Sequence, residues 1–288
     1  MSTAADRPPV PSSATAGPSG GDPSAGLSIA RWRRTSAGEL LINLTMRDIR
    51  SQYKRTVLGR LWSFVNPLAT IAIFWFVFGV VFEMQPPAGN TSGLHSYPLY
   101  LTAGLIPWTF ISSSITSGMT ALTTNAGLLT KVYFPRHVLV VSTVLSLGAT
   151  FLIELSVVTA IMWAFGGPRV LIFIPGVLIM TVITGVFCTG IALMLSVALV
   201  YFRDTQHFVG IFMQIWFYGS AIIYSFEILL PKLEAAANHV IIFGHPFPFT
   251  FLFRLNPAVR ITNCYRSMLY DFELPSWSDL VGSIAWAA

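Results

Sequence analysis

Residues 138–165 read VLVVSTVLSLGATFLIELSVVTAIMWAF, and residues 170–202 read VLIFIPGVLIMTVITGVFCTGIALMLSVALVYF. They belong to a stretch of 71 residues, 132–202, that contains only three Asp, Glu, Lys or Arg residues. A membrane-spanning helix requires about 20 mostly apolar residues, and both segments exceed that length. A buried helix of a soluble protein needs neither this length nor this lack of charge, so the two segments predict a pair of membrane spans.

The composition of the whole chain extends this prediction to a polytopic, all-α membrane protein. Hydrophobic residues make up 54% of the 288 residues and charged residues 10%, against roughly 25% charged residues in soluble domains. Three further runs have the length of a span, namely 61–82, 99–119 and 208–230. A sixth run begins near residue 280 and reaches residue 288 after only nine residues. The sixth span is therefore either cut short or does not cross.

The distribution of basic residues predicts the orientation of the spans. Twelve of the 17 Lys and Arg residues precede the first span, lie in the loop 120–137, or directly follow the fourth span. Positively charged loops stay on the cytoplasmic side, so we expect a multi-pass protein with a cytoplasmic amino terminus. This topology places residues 226–277 outside. Short apolar pieces interrupted by proline indicate re-entrant or interfacial segments there, a candidate outer gate, with a surface loop as the alternative.

Two segments precede the first span and the transmembrane domain, 61–288. Residues 1–29 are mainly Pro, Ser, Ala and Gly, which predicts a disordered tail. Residues 30–60 contain a capping box, Ser36 to Glu39, followed by apolar and basic residues at helical spacing, which predicts an amphipathic helix. Because basic residues continue up to the first span, we interpret it as a helix at the cytoplasmic membrane surface. A solvated helix packed on a core is the alternative.

Chemical motifs argue against an enzyme. The sequence has no phosphate-binding Gly-x-x-x-x-Gly-Lys-Ser/Thr loop, no dinucleotide-binding fingerprint and no His-Glu-x-x-His motif. Its five histidines are dispersed, and Cys188 and Cys264 are far apart, so we expect no metal site and no cofactor bound by this chain. The net charge of +5 is concentrated beside apolar runs, which indicates contact with membrane lipids rather than nucleic acid.

Two features inside the predicted spans are candidates for a transport path. Glu154 is an acidic residue near the middle of the third predicted span, and a charge there is costly. It therefore serves either a transport path or proton site, or a hydrogen bond between helices. Aromatic residues repeat at four-residue spacing in the first and fifth spans, where they either face lipid or line a channel on which sugar rings stack. The candidates for the channel lining are Phe74, Trp75, Phe78, Phe212 and Trp216.

Six segments, taken in order, resemble one known family. They are RDIRSQYKRTVLGRLWSFVNP at 47–67, LTAGLIPW at 101–108, NAGLLTKVYFPR at 125–136, YFRD at 201–204, QIWFY at 214–218 and LNP at 255–257. They resemble the permeases of ABC exporters for polysaccharides and polyol phosphates, the O-antigen and teichoic-acid type. The similarity extends over roughly residues 40–285.

The resemblance implies a six-helix permease subunit with an amino-terminal interface helix and short external gate helices between residues 226 and 257. It implies a homodimer in the plasma membrane, joined by two cytoplasmic ABC ATPase subunits that hold ATP and Mg²⁺. The expected substrate is a polysaccharide on a polyprenyl-diphosphate lipid, moved from the cytoplasmic to the outer side. An ABC permease for drugs or smaller lipids is one alternative. A non-transport scaffold for glycan-synthesis enzymes is another.

Two groups of site residues follow from the resemblance. The interface helix would carry Arg47, Arg50, Tyr53, Lys54 and Arg55. The charges of Arg50, Lys54 and Arg55 attract either the lipid diphosphate or ordinary anionic headgroups. The segment that docks on the ATPase would carry Leu128, Lys131, Tyr133, Phe134, Pro135 and Arg136. The exposed apolar plug expected at its centre favours docking over a role of the basic residues in topology alone.

Overall fold

The computed structural model describes residues 23–52, 54, 58–83, 91–130, 135–223, 241–242, 245–246, 253 and 255–288. Helices account for nearly all of them, as the composition predicts. The helices are α1 Pro23–Gln52, α2 Trp62–Phe74, α3 Tyr97–Thr124, α4 Ala126–Leu129, α5 His137–Gly166, α6 Ile174–Tyr201, α7 Thr205–Tyr218, α8 Pro257–Arg266 and α9 Trp277–Ala287. Two short strands, β1 Ile241–Ile242 and β2 His245–Pro246, pair antiparallel.

Tighter and wider helical turns extend three of these helices. A 3₁₀ helix, Gly59–Leu61, precedes α2, and a second, Pro168–Phe173, precedes α6. The chain continues as a π-helix after α2, over Trp75–Val81, and after α8, over Ser267–Asp271. The π-helical turns lengthen the first membrane helix to 20 residues, Trp62–Val81.

α3 is the central helix of the bundle. It packs along α5 and α6 and also contacts α8. Ile111, Ile115 and Met119 lie on its buried side. Gly118 permits a close approach of α6, since a Cβ atom there would lie 2.7 Å from the Cβ of Ala192. Small residues at such crossings allow membrane helices to pack through their backbones.

Among the described residues, three helical segments are long and apolar enough to cross a membrane: Trp62–Val81, His137–Gly166 and Pro168–Tyr201. They coincide with the first, third and fourth predicted spans. α3 has 28 residues and the required length, but its many Ser and Thr residues lower its mean hydropathy. Several of its threonine hydroxyls donate to carbonyls one turn back, as Thr102 does to Pro98 at 2.6 Å, so they leave the helix intact.

The fifth predicted span, 208–230, is interrupted after residue 218. α7 ends at Tyr218, and the next five residues form an irregular turn in which Ala221 has a φ of +50°. Residues 224–230 lie outside the described part of the chain. At 1.5 Å per residue, α7 is about 21 Å long, which is short of a hydrocarbon core of about 30 Å. Gly219 and Ser220 stand at the break, but the residues on both sides of them are apolar or aromatic, so the sequence marks the break only weakly.

α8 and α9 pack together as an antiparallel pair beside α3 and α6. The π-helix that follows α8 ends near the last turn of α5, where a Cβ at Gly166 would lie 2.7 Å from the ring of Phe272. α9 runs back toward the start of α8, and the indole N–H of Trp286 donates to Leu255 O at 3.1 Å. Its 11 residues cover about 16 Å, half of a span. The described residues therefore contain no sixth full-length span, and most of the predicted gate helices, 226–257, fall outside them.

The first helix begins earlier than predicted. α1 starts at Pro23, so residues 23–29 of the predicted tail belong to a helix, and Ser36 lies inside it rather than at its cap. Proline is favourable in the first helical turn, and the residues that follow include good helix formers such as Ala25 and Leu27. A Ser-x-x-Glu sequence is compatible with a helix interior, so the motif misplaced the boundary. Residues 1–22 lie outside the described part.

Candidate transport site and coupling surface

α1 lies against the end of the bundle at which α5 begins, which we call the α1 end. A small apolar cluster around buried Leu44 joins the two helices. The cluster also contains Val138, Leu139, Leu40, Leu41, Leu122, Leu128 and Leu129. Ile42 and Met46, which the spacing places on the apolar face, are instead 63% and 42% exposed. α1 thus has two apolar surfaces, one that holds it to the bundle and one that is exposed.

Polar contacts tie the last turns of α1 to the end of α3. The guanidinium of Arg47 contacts Asp48 Oδ1 at 2.8 Å and donates to Asn125 Oδ1 at 3.1 Å. The amide of Asn125 donates in turn to Ala121 O at 2.9 Å. Of the other predicted interface residues, Arg50 and Lys54 are exposed, and Tyr53 and Arg55 lie outside the described residues. Arg47 is therefore partly engaged within the fold, while Arg50 and Lys54 face outward.

A polar cavity of about 520 Å³, the α1 cavity, opens beside these contacts. Its polar lining consists of Arg47, Asp48, Ser51, Gln52, Ser117, Thr120, Thr124, Asn125, Thr143 and Ser146. Gln52 borders it, since Gln52 Oε1 accepts from the Thr150 hydroxyl at 3.0 Å and Gln52 Nε2 lies 3.5 Å from Ser146 Oγ. Hydrophilic groups from three helices thus line one side of a bundle whose other surfaces are largely apolar.

A second cavity of about 160 Å³, the Glu154 cavity, adjoins the first along Leu147. Its lining is Thr109, Phe110, Ser113, Leu147, Thr150, Phe151 and Glu154. Glu154 is partly buried, and the residues that the structure describes offer it neither a hydrogen bond nor an ion pair. The helix-to-helix hydrogen bond that the sequence leaves open for Glu154 is therefore not formed by these residues.

The predicted coupling segment lies at the α1 end. Leu128, in α4, is partly buried in the Leu44 cluster, whereas Pro135 and Arg136 are exposed. Lys131, Tyr133 and Phe134 lie outside the described residues. A cavity of about 560 Å³ beside α4, the coupling cavity, is bordered by Arg136 together with Arg203 and Gln206. The structure thereby joins the α6–α7 turn to the coupling segment, a proximity that the sequence does not reveal.

The five predicted channel aromatics fall into two rows. In the first, Phe74 lies 5.9 Å from Phe78, whose ring is 5.2 Å from Tyr97 at the start of α3. In the second, Phe212 lies 5.6 Å from Trp216, which packs edge-on against Trp108 of α3. Trp75 is 59% exposed and Phe212 48%, while Trp216 is partly buried. Exposure therefore leaves Trp75 and Phe212 available to lipid or to a channel, and Trp216 belongs to the core.

Sequence reasoning missed a polar junction where α7 ends, here called the α7 junction. The carbonyls of residues 219 and 221–223 accept hydrogen bonds from side chains of α3, of α8 and of the residue that caps α8. Asn256 donates to Gly219 O at 3.1 Å, and Arg266 donates to Ala221 O at 3.2 Å and to Ile222 O. The Tyr97 hydroxyl donates to Ile223 O. Irregular backbone at membrane depth is tolerated where protein groups satisfy it, as they do here.

Arg266 is the centre of the α7 junction. It is 5% exposed, and its guanidinium carbon lies 4.2 Å from the centre of the Tyr100 ring. Gly104 provides the space, since a Cβ there would lie 2.6 Å from a guanidinium nitrogen. Asn256 caps α8 by accepting from Ala258 N at 3.0 Å, and it also accepts from Trp216 Nε1 at 2.8 Å. The Asn256-Pro257 pair is a helix-start signal that the sequence offers, but its partners are not deducible from it.

Comparison with known proteins settles the family. A family model described as ABC-2 type transporter matches residues 39–247, well over half of the chain. The chain belongs to the ABC-2 type transporter family. It is therefore a transport subunit rather than an enzyme, and its long apolar helices fit an integral membrane protein.

Relatives of this ABC-2 permease have been named for polysaccharide export. The O-antigen export system permease protein RfbA of Klebsiella pneumoniae is 30% identical over 236 residues, 82% of each chain. RfbA of Myxococcus xanthus is 28% identical over 256 residues, 86% of this chain and 89% of the relative. The polysialic acid transport protein KpsM of Escherichia coli is 32% identical over 85 residues, 30% of this chain and 31% of KpsM. The resemblance to ABC permeases for polysaccharide export is confirmed.

Proposed function

We propose that this ABC-2 permease forms, as a homodimer, the channel of an ATP-driven exporter in the plasma membrane. Its substrate would be a polysaccharide linked to a polyprenyl diphosphate, moved from the cytoplasmic to the outer side. The names of the relatives support the substrate class, since they are O-antigen and polysialic acid transport proteins. Two separate ATPase subunits would hold ATP and Mg²⁺, because this chain carries no phosphate-binding loop.

The observation that carries the proposal is the packing of α4 at the α1 end, where the coupling surface would lie. α4 packs through Leu128 and Leu129 on a cluster that includes Leu44 of α1 and Leu139 of α5. A partner that pushes on α4 would therefore move α1 and the start of α5 together. Packed helices have discrete arrangements, so such a push favours a switch between two packings rather than a gradual bend. This is the mechanical requirement for an ATPase that drives a separate membrane subunit.

Charge supports a cytoplasmic location for this end of the bundle. Arg47, Arg50, Lys54, Arg136 and Arg203 all lie at or near the α1 end. The positive-inside rule retains such residues in the cytoplasm, where the ATPase and the newly made glycolipid are found. The amino terminus would accordingly be cytoplasmic.

The basic residues of α1 would receive the anionic lipid head. Arg50 and Lys54 are exposed near the α1 cavity, and Arg47 is held in its wall by Asp48 and Asn125. A diphosphate carries charge that arginine and lysine neutralise through charge-assisted hydrogen bonds. The exposed apolar side chains Ile42 and Met46 on the same helix would contact the lipid tail.

Charge reversal at the α6–α7 turn tests the coupling surface. We expect Arg203→Glu to abolish co-purification of the ATPase and to lower surface polysaccharide by about tenfold, because a docking contact of a charged side chain is replaced by repulsion. Phe134→Asp in the predicted coupling segment should do the same. Arg169→Glu is the matched control, since Arg169 is an exposed arginine in the 3₁₀ helix before α6.

The readouts are the amount of permease in the membrane, the ATPase recovered with it, and polysaccharide at the cell surface. Retention of both ATPase and export by Arg203→Glu and Phe134→Asp would contradict the coupling surface. Failure of the unaltered permease to recover any ATPase from membranes of its own organism would contradict the exporter itself.

A further inference from the structure

An apolar groove, the α6–α7 groove, lies between α6 and α7 and has a volume of about 830 Å³. Its floor is buried and includes Phe187, Val209 and Met213. Its rim is open to the outside of the bundle, where Met194 and Phe208 are exposed. Ligand-binding cavities measure about 300–1,000 Å³, so the α6–α7 groove has the size of a binding site, and its lining suits a hydrocarbon chain.

The coupling cavity adjoins one end of this groove. On α6, Leu195 lines the groove, and Leu199, one turn further along the same helix face, lines the coupling cavity. On α3, Ile115 lines the groove, and Leu122, two turns further along, lines the coupling cavity. One turn of α-helix rises about 5.4 Å, a distance that the glycerol and ester groups of a phospholipid cover. The two cavities therefore provide adjacent places for a hydrocarbon chain and a headgroup.

The coupling cavity is positively charged. Its lining includes Arg136, Arg203 and Gln206, and no carboxylate of the described residues contributes to it. These three side chains are exposed and form neither a hydrogen bond nor an ion pair with the residues that the structure describes. Asp204 follows Arg203 in sequence but does not line the cavity. Because an arginine side chain only donates hydrogen bonds, the cavity is suited to an anionic group.

The two arginines come from separate connections of the chain. Arg136 directly precedes α5, and Arg203 lies between α6 and α7. Like charges at one cavity repel each other, and an anion between them replaces this repulsion by two attractions. Arginine binds phosphate through charge-assisted hydrogen bonds, so a phosphate is a suitable anion. It would hold the α6–α7 turn to the segment that is predicted to dock on the ATPase.

The position of the arginines along α6 fits the headgroup layer of a membrane. α6 belongs to an apolar segment with the length of a span, it ends at Tyr201, and Arg203 follows directly. Val197 and Val200 in its last turns are exposed, as expected of a helix that contacts lipid. Basic pockets between membrane helices on the cytoplasmic side bind anionic lipid headgroups. With the α1 end in the cytoplasm, as proposed above, the lipid would belong to the inner leaflet.

We propose that the permease binds one anionic phospholipid here, with the phosphate at Arg136 and Arg203 and an acyl chain in the α6–α7 groove. The site goes beyond the proposed function, because this lipid would be a resident component of the permease and not its cargo. It is separate from the basic residues of α1 that would receive the diphosphate of the substrate. Lipid binding requires neither the ATPase nor a glycan, so the permease alone is sufficient to test it.

Lipid binding to the purified, delipidated full-length permease is the first test. The protein is titrated in non-ionic detergent with dioleoyl phosphatidylglycerol or dioleoyl phosphatidylcholine, and native mass spectrometry measures the bound fraction. We expect phosphatidylglycerol to bind about tenfold more tightly, and the double variant Arg136→Gln, Arg203→Gln to remove this preference, because hydrogen bonds to a charged group are lost. Arg169→Gln is the matched control, since Arg169 is an exposed arginine before α6.

Filling the α6–α7 groove is the second test and leaves both arginines in place. Gly190 is exposed in the groove and has open space around its Cβ position, so the indole of Gly190→Trp can occupy the groove. Gly210→Trp is the control, since Gly210 is an exposed glycine of α7 with similar space but does not line the groove. We expect Gly190→Trp to lower the affinity for phosphatidylglycerol about fivefold. Phosphatidylglycerol should raise the unfolding temperature of the control but not that of Gly190→Trp.

Each result separates the lipid site from the exporter as a whole. Equal affinities for the two phospholipids, or unchanged binding of phosphatidylglycerol by the arginine double variant or by Gly190→Trp, would overturn the lipid site and leave the exporter standing. Displacement of phosphatidylglycerol by an equal concentration of inorganic phosphate would reveal an ion site without a role for the groove, and tighter binding of a polyprenyl phosphate would assign the groove to the cargo. Either result would overturn the proposal. Loss of ATPase recovery in the double variant with unchanged lipid binding would assign the arginines to protein docking alone and would overturn it too. Absence of polysaccharide export by the unaltered permease would instead overturn the proposed function.

Discussion

Arg266 and Glu154 are both ionisable residues inside a bundle of apolar helices, but their surroundings differ. Arg266 is 5% exposed and is surrounded by backbone carbonyls and the face of Tyr100. Glu154 is partly buried, borders a cavity and has no hydrogen bond or ion pair to any residue that the structure describes. Placing a charge in apolar surroundings costs free energy. Carbonyl groups of the fold compensate this cost at Arg266, whereas no described residue compensates it at Glu154.

This difference suggests different roles for the two polar residues: Arg266 stabilises the fold, whereas Glu154 serves transport. At the α7 junction, side-chain donors bond the carbonyls that backbone N–H groups would bond in a continuous helix. Arg266 thereby allows α7 to end within the bundle. In the cleft between α3 and α5, the Thr109 hydroxyl bonds a carbonyl of its own helix, and no group that the structure describes bonds the carboxyl of Glu154. We therefore expect replacement of Arg266 to change stability first, and replacement of Glu154 to change transport first.

The largest effect is expected for Arg266→Leu. The substitution leaves the buried carbonyls of Ala221 and Ile222 without their donors, and each such loss costs about 1–3 kcal/mol, so we expect a destabilisation of about 3 kcal/mol. Thermal unfolding of the purified permease, followed by tryptophan fluorescence, measures it. Arg169→Leu is the control, since Arg169 is exposed. An unfolding temperature equal to that of the control would mean that Arg266 does not stabilise the α7 junction.

Gly104 offers an independent way to disturb the same arginine. A methyl group at this position would lie 2.6 Å from a guanidinium nitrogen, so Gly104→Ala must displace Arg266 from its carbonyl partners. We expect a loss of about 2 kcal/mol, typical of overpacking in a close-packed core. Gly185→Ala, on α6 with open space around its Cβ, is the control. Combined with Arg266→Leu, the glycine substitution should add little, because the clash then has no charged partner.

A smaller effect is expected for Asn256→Ala. The side chain caps α8 and bridges Trp216 Nε1 to the carbonyl of Gly219, so its removal affects two elements at once. Loss of a cap costs about 1 kcal/mol, and we expect a destabilisation of about 1–2 kcal/mol. Asn256→Ser should recover part of it, since serine also caps helices. Equal unfolding temperatures for the alanine, serine and unaltered proteins would contradict a role in holding α7 to α8.

Sequence reasoning predicted the class of the fold and three of its spans because apolar length is a local property. Residues 138–165 and 170–202 are each long and apolar enough that a membrane-spanning helix is the one interpretation of their sequence. The broken fifth helix was missed because it depends on donors from distant elements: Tyr97 and Arg266 are far from residues 219–223 in sequence. The resemblance predicted the coupling segment, but only the fold brings Arg203 to the same cavity as Arg136. Glu154 was recognised by its charge, whereas its cavity arises from the packing of α3 on α5.

The smallest change in stability is expected for Glu154→Leu, and it should have the opposite sign. Because the carboxyl has no partner among the described residues, its removal breaks no hydrogen bond there, and leucine suits an apolar helix better. We expect the free energy of unfolding to stay equal or to rise by about 0.5 kcal/mol, the range of substitutions that disrupt no specific contact. Functional sites often retain such locally unfavourable residues, and stability increases when they are replaced. A destabilisation as large as that of Arg266→Leu would mean that Glu154 holds helices together, and the contrast between the two charged residues would then disappear.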